Sequence, residues 1–262
     1  MISRKRKKGL SCLDRTTYTP PMERYPEIDV LRGLALLCMA AYHLAYDLVL
    51  FGLVNLTFWE GFWWWFPRCI AAAFVTLAGL SMALRRARTG AGPRPFLARG
   101  LRLAAVAAGI TAATYLALGP RTFVFFGVIH LIAFATLVSY PLADRPLRAA
   151  ALGSAILAAG LGLSSRRFPG LAFAWLGFRP REHYPADYLP VLPWYAWFLF
   201  GIALAAVFFP RGRRRLEPPH RLLNAAPLRA LVWLGRHSLK VYLIHLPVLY
   251  GIVWGIAKAA GR

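Results

Sequence analysis

The chain is a succession of apolar runs, each close to the length that crosses a bilayer, separated by short segments that collect the basic residues. The runs cover roughly 30–51, 63–84, 99–118, 122–142, 147–163, 188–209 and 238–257, the fifth being the shortest. A helix needs about 20 apolar residues to cross the hydrocarbon core. In lipid every backbone polar group needs an internal partner, so only helices and closed barrels span it. The runs are continuous and show no period-two alternation, which selects helices. The expected fold is an all-α, polytopic integral membrane helix bundle of about seven transmembrane helices. Residues 1–27 are expected to form a disordered basic cytoplasmic tail, and 28–262 a single transmembrane domain. The first run outlasts a signal-peptide core of about 7–15 residues and is not followed by a small-x-small cleavage site, so it reads as a retained span.

Composition agrees. Hydrophobic residues make up 58% and charged residues 16%, whereas soluble domains average about 45–50% and about 25%. A net charge of +22 would suggest nucleic acid in a soluble protein. Here the bases lie between apolar runs, so no nucleic-acid partner is expected. With the N-terminus inside, 20 Lys and Arg fall in cytoplasmic segments and 7 in external ones. This asymmetry predicts a cytoplasmic N-terminus and an external C-terminus, in a bacterial inner membrane. Trp59, Trp63, Trp64 and Trp65 then form an outer aromatic belt. The three cysteines, Cys12, Cys38 and Cys69, cannot make a disulfide framework and contain no CxxC.

Ionisable groups inside spans are costly and mark function. The first span carries Arg32, His43 and Asp47, with Asp29 at its inner edge. At about 100° per residue, His43 falls near 20° from Arg32, and Asp29 and Asp47 both near 60°. The four share one polar stripe. His43 and Asp47 stand four residues apart, a spacing at which a carboxylate can orient an imidazole for general-base work. Arg68, His130 and His245 lie in the second, fourth and seventh runs as further polar candidates. No two histidines are four residues apart, so no metal site is expected, and the chain has neither a glycine-rich phosphate loop nor a GxSxG elbow. The runs Arg85-Arg86-Ala87-Arg88 and Arg211-Gly212-Arg213-Arg214-Arg215 follow the positive-inside rule, and a sharper reading gives them a phosphorylated cytosolic donor.

Three stretches carry a resemblance. Arg24-Tyr25-Pro26-Glu27-Ile28-Asp29-Val30-Leu31-Arg32-Gly33-Leu34-Ala35, continued to His43 and Asp47, is similar to the first helix of the heparan-alpha-glucosaminide N-acetyltransferase catalytic-domain family. The Arg32-to-His43 interval also resembles that of the membrane acyltransferases that O-acetylate bacterial surface polysaccharides. Asp187-Tyr188-Leu189-Pro190-Val191-Leu192-Pro193-Trp194 looks like the entry to a later span in bacterial members of the first family. Leu234-Gly235-Arg236-His237-Ser238-Leu239-Lys240-Val241-Tyr242-Leu243-Ile244-His245-Leu246-Pro247 resembles the closing helix of both groups. The chain departs from the eukaryotic enzyme in having fewer spans. That enzyme's catalytic histidine lies in the outer loop after its first span, and the loop 52–62 here has none, leaving His43 as the first-span candidate.

The resemblance implies transfer of an acyl group, usually acetyl, from cytosolic acyl-CoA as cosubstrate to a glycan or glycolipid acceptor at the outer side, with no permanently bound cofactor. His43 and Asp47 are then the catalytic candidates, and Arg32, Arg68, His130, Asp187 and His245 the substrate-binding ones, with His130 or His245 able to donate to the thioester oxyanion. The 11 residues from Arg32 to His43 rise about 16 Å, comparable to an extended pantetheine arm. Two other readings use the same residues: a proton-coupled transporter with the histidines and Asp47 as a relay, and a non-enzymatic membrane scaffold.

Overall fold

The computed structural model describes residues 25–163, 167–168, 170–181, 187–215 and 225–261. The basic tail up to residue 24 lies outside the described residues. The described chain forms eight α-helices: α1 (Pro26–Leu50), α2 (Gly61–Thr89), α3 (Arg94–Leu118), α4 (Val128–Val138), α5 (Pro146–Leu163), α6 (Val191–Phe208), α7 (Ala226–Arg236) and α8 (Ser238–Ala259). Six of them, all but α4 and α7, are long and apolar enough to cross a membrane. Two-residue strands, β1 (Arg167–Phe168) and β2 (Arg179–Pro180), pair in parallel between α5 and α6.

Local chemistry sets the helix ends. Pro26 opens α1 with Glu27 and Asp29 in its first turn, where the missing N–H costs nothing and negative charge suits the dipole. Gly90 closes α2 in the left-handed region at φ +59° and donates its N–H to the Arg86 carbonyl.

Packing has two foci. Helix α6 sits between α2 and α5, with Phe198, Leu199 and Ile202 fully buried against a core that includes Val75 and Leu131. The α2–α6 crossing is reciprocal. A β-carbon on Gly79 would stand 2.0 Å from the Phe198 carbonyl oxygen, and one on Gly201 would stand 2.0 Å from that of Thr76. The second focus is α1, packed against α7, α8 and α2. There Gly33 abuts the Leu231 backbone and Gly235 abuts the Asp29 backbone. Lipid gives little hydrophobic reason for helices to associate, so small residues that allow backbone contact do much of that work.

The fourth apolar run corrects the sequence expectation. In place of a helix over 122–142, residues up to Gly127 are non-helical, and α4 has 11 residues. At 1.5 Å per residue it rises about 16 Å, roughly half the hydrocarbon core. The chain still returns to the basic end, because Tyr140 O–H reaches the Ala91 carbonyl at 3.3 Å and Arg86 meets Asp144 at 3.4 Å. Non-helical backbone inside a membrane body must find partners in the protein. Thr111 O–H donates to the Val124 carbonyl at 2.8 Å, and Val124 N–H donates to Thr114 Oγ1 at 3.0 Å. Leu189 N–H donates to the Phe126 carbonyl at 2.9 Å, and Asp187 accepts the Val128 N–H at 3.0 Å. Hydropathy registers an apolar run but not such distant partners, which is why the run read as one helix.

One end of the bundle gathers the described basic segments. Arg88 and Arg214 stack on the Tyr25 ring at 4.8 and 4.9 Å, and Arg214 forms a two-pronged pair with Glu27 at 2.7 and 3.1 Å.

Candidate active site

The polar stripe read on α1 divides between two places. At the basic end, buried Asp29 accepts from Arg32 at 2.9 Å and faces Arg236 Nε of α7 at 3.5 Å. Arg32 also donates to Ser81 Oγ of α2. Arg99 of α3 stands within electrostatic reach of Arg32, Arg85 and Arg102. Arg85 lies beside the Phe96 ring at 5.6 Å, and its Nε is buried with no hydrogen-bond partner. Arginines from α1, α2 and α3 thus lie within electrostatic reach of one another, while Asp29 pairs with Arg32 and Arg236. Excess guanidinium charge with a spare buried donor is an arrangement that an anion completes.

Eleven residues along α1, His43 faces His245 of α8, with ring centroids 5.2 Å apart. His245 is 7% exposed. Its Nδ1 lies 2.7 Å from the Tyr242 carbonyl oxygen, which can only accept, so Nδ1 carries the proton. Nε2 is therefore the lone-pair nitrogen, and it is buried without a partner. The Tyr242 ring is 5.7 Å from His245, and its O–H reaches Asp187 Oδ2 at 3.4 Å. The same oxygen accepts the Val128 N–H. A β-carbon on Gly127 would stand 2.1 Å from it, so only glycine leaves room for the carboxylate. Val128, Asp187, Tyr242, His245 and His43 form one continuous path from α4 through α8 to α1.

The other candidates separate. Asp47 is buried on α1 with Oδ2 unpartnered, and among the described residues no hydrogen bond joins it to His43. The i,i+4 spacing puts the two on one side of the helix without bringing them together. His130 has both nitrogens occupied. Gly127 N–H donates to Nδ1 at 3.2 Å, and Nε2–H donates to Thr111 Oγ1 at 2.9 Å. It ties the irregular segment before α4 to α3, at the floor of an apolar groove of about 730 Å³. Arg68 lies over the Trp64 ring at 3.4 Å and lines a cavity of about 560 Å³ with Tyr42, Tyr46, Phe58, Trp59 and Trp63. This aromatic cup begins at Tyr42, the residue next to His43. Among the described residues no group of three His, Cys, Asp or Glu is placed to hold a metal ion.

Sequence reasoning gave no role to Ser81, Arg99 and Arg236, and passed over Tyr242. Tyr242 had a usable signal, since it precedes His245 by three residues and shares its helix face. Ser81 and Arg236 had none, because their partners, Arg32 for Ser81 and Asp29 for Arg236, lie far away in the chain.

The arrangement is an arginine-rich end, a histidine pair of which His245 is buried, and an aromatic cup, in that order along α1. No curated protein and no solved structure matches the chain. The family described as heparan-alpha-glucosaminide N-acetyltransferase, catalytic, matches residues 24–247. Taking in both histidines, the arginine end and the Asp187 turn, that match shows that the chain belongs to the heparan-alpha-glucosaminide N-acetyltransferase catalytic-domain family.

Proposed function

We propose that the protein is an integral membrane acyltransferase. It moves an acyl group, acetyl in the simplest case, from acyl-CoA at the basic end to a hydroxyl or amine of a glycan or glycolipid at the aromatic end. The basic end is cytoplasmic and the aromatic cup faces outward, across a bacterial inner membrane. The observation that carries the reading is the place of the His43–His245 pair between the arginine cluster and the cup.

The donor's phosphates pair with Arg32, Arg85 and Arg99, whose guanidinium forks suit phosphate oxygens. The pantetheine arm follows α1, covering the roughly 16 Å from Arg32 to His43, and sets the thioester carbon beside the two imidazoles. The acceptor ring rests on the aromatic faces of Tyr42 and Trp63, with Arg68 at the rim. Its nucleophile attacks the acyl carbon, the C–S bond breaks, and CoA leaves toward the basic end. Holding both reactants in one site replaces a bimolecular encounter with a positioned one.

The test uses purified full-length protein in liposomes with labelled acetyl-CoA on the arginine side. Calorimetric binding of acetyl-CoA, and label appearing on a glycan acceptor supplied on the other side, are expected. Absence of both would overturn the reading.

A further inference from the structure

The two histidines at the centre are not equivalent. A general base needs a free lone pair facing the reacting atom and a partner that fixes its ring. His245 has the free lone pair and the fixed ring. Its Nδ1–H is held by the Tyr242 carbonyl at 2.7 Å, and its Nε2 is buried with no partner, on the side of the molecule shared with His43. An orphan acceptor in a protein interior is costly and rare. The ring is fixed from within its own helix, so the lone pair is preorganised. Tyr242 is itself anchored through its hydroxyl to Asp187, which is bound to the α4 N-terminus. His43 has no such arrangement, because Asp47 makes no hydrogen bond to it.

We propose that His245, through Nε2, is the general base of the acyl transfer. The inference rests on the acyl-transfer reading and reverses the roles expected from sequence, where His43 is the base and His130 or His245 an oxyanion donor. In the step, the acceptor's oxygen or nitrogen lone pair forms the bond to the thioester carbon. Its proton passes to His245 Nε2, giving an imidazolium whose Nδ1–H remains on the Tyr242 carbonyl. The C–S electron pair leaves on sulfur, and Nε2 returns the proton to it, giving free CoA thiol and the neutral imidazole. No oxidant, reductant or metal enters the balance.

Two variants of the full-length protein test this in liposomes. His245→Asn keeps an N–H for the Tyr242 carbonyl and removes the base. It should melt as the wild type does and lose turnover by about 10²–10⁴-fold, with acetyl-CoA affinity unchanged. His245→Ala leaves room at Nε2, and added imidazoles should restore turnover at rates that rise with their basicity. Wild-type turnover in His245→Asn would overturn the proposal, as would a His245→Ala protein that melts normally and gains nothing from any imidazole. If the wild type itself transfers no acetyl group, the acyl-transfer reading fails and the assignment falls with it. If His43→Ala is inactive while His245→Asn is active, only the assignment of the base fails.

Discussion

The carboxylate of Asp187 accepts the Val128 N–H at 3.0 Å, capping a helix that starts inside the bundle. The cap lets a half-length helix and an irregular segment replace a full span. Asp187→Ala leaves that N–H without its acceptor and Tyr242 without its anchor. The expected loss is about 1–2 kcal/mol of stability, the usual scale for a lost helix cap. Asp187→Asn keeps an acceptor oxygen and should stay closer to wild type. Thermal melts of the two variants in the same detergent check the order.

Gly235 is the tightest glycine contact in the α1–α7 crossing, where a β-carbon would stand 1.9 Å from the Asp29 carbonyl oxygen. Gly235→Ala must push the helices apart and pull Arg236 from Asp29. Overpacking of this kind costs about 1–3 kcal/mol. Gly255→Ala on α8 meets nothing within 4 Å, so it should be neutral or gain up to about 1 kcal/mol from helix propensity. Melting curves that rank the two the other way would contradict the packing account.

Donor binding should depend on Arg85, in a run that the sequence offers to a phosphorylated donor, and on Arg99, to which the sequence gave no role. Arg85→Ala and Arg99→Ala should each weaken acetyl-CoA binding by about 10–100-fold, the scale of a lost charged hydrogen bond. Arg85→Lys should recover only part, since an ammonium lacks the planar fork. Calorimetry at two salt concentrations reads both effects, and affinity should fall as salt rises.

Removal of His43 should act on turnover more than on insertion. His43→Ala is expected to lower acyl transfer by about 10²–10³-fold, the range of a lost oxyanion donor. Asp47→Asn should change turnover only a few-fold, because Asp47 does not bond to the imidazole. Labelled-acetyl transfer measured beside a melting curve separates the two.

The charge asymmetry predicts sidedness. Reporter fusions at Gly90 should read cytoplasmic, and fusions at Trp175 and the C-terminus external. A cytoplasmic signal at Trp175 would reverse the donor and acceptor ends.

The membrane class, the helical fold and the polar stripe on α1 were legible in the chain alone, because each depends on local quantities. Run length decides whether a segment can cross lipid, and helical periodicity decides which residues share a face. That is why Arg32 and His43 stood out before any coordinates. Periodicity could not say what meets that face. Asp47 shares the side of His43 yet makes no hydrogen bond to it, while His245, 202 positions further along, supplies the facing ring. The short α4 had the same origin. Hydropathy is a sum over neighbours, whereas the break before Val128 is held by Thr111, Thr114 and Asp187 from other parts of the chain. The tautomer of His245, by contrast, is set within its own helix, by the Tyr242 carbonyl three residues back. Local chemistry chose the elements, and long-range hydrogen bonds chose which of the polar groups on α3, α4 and the Asp187 turn are spent on structure.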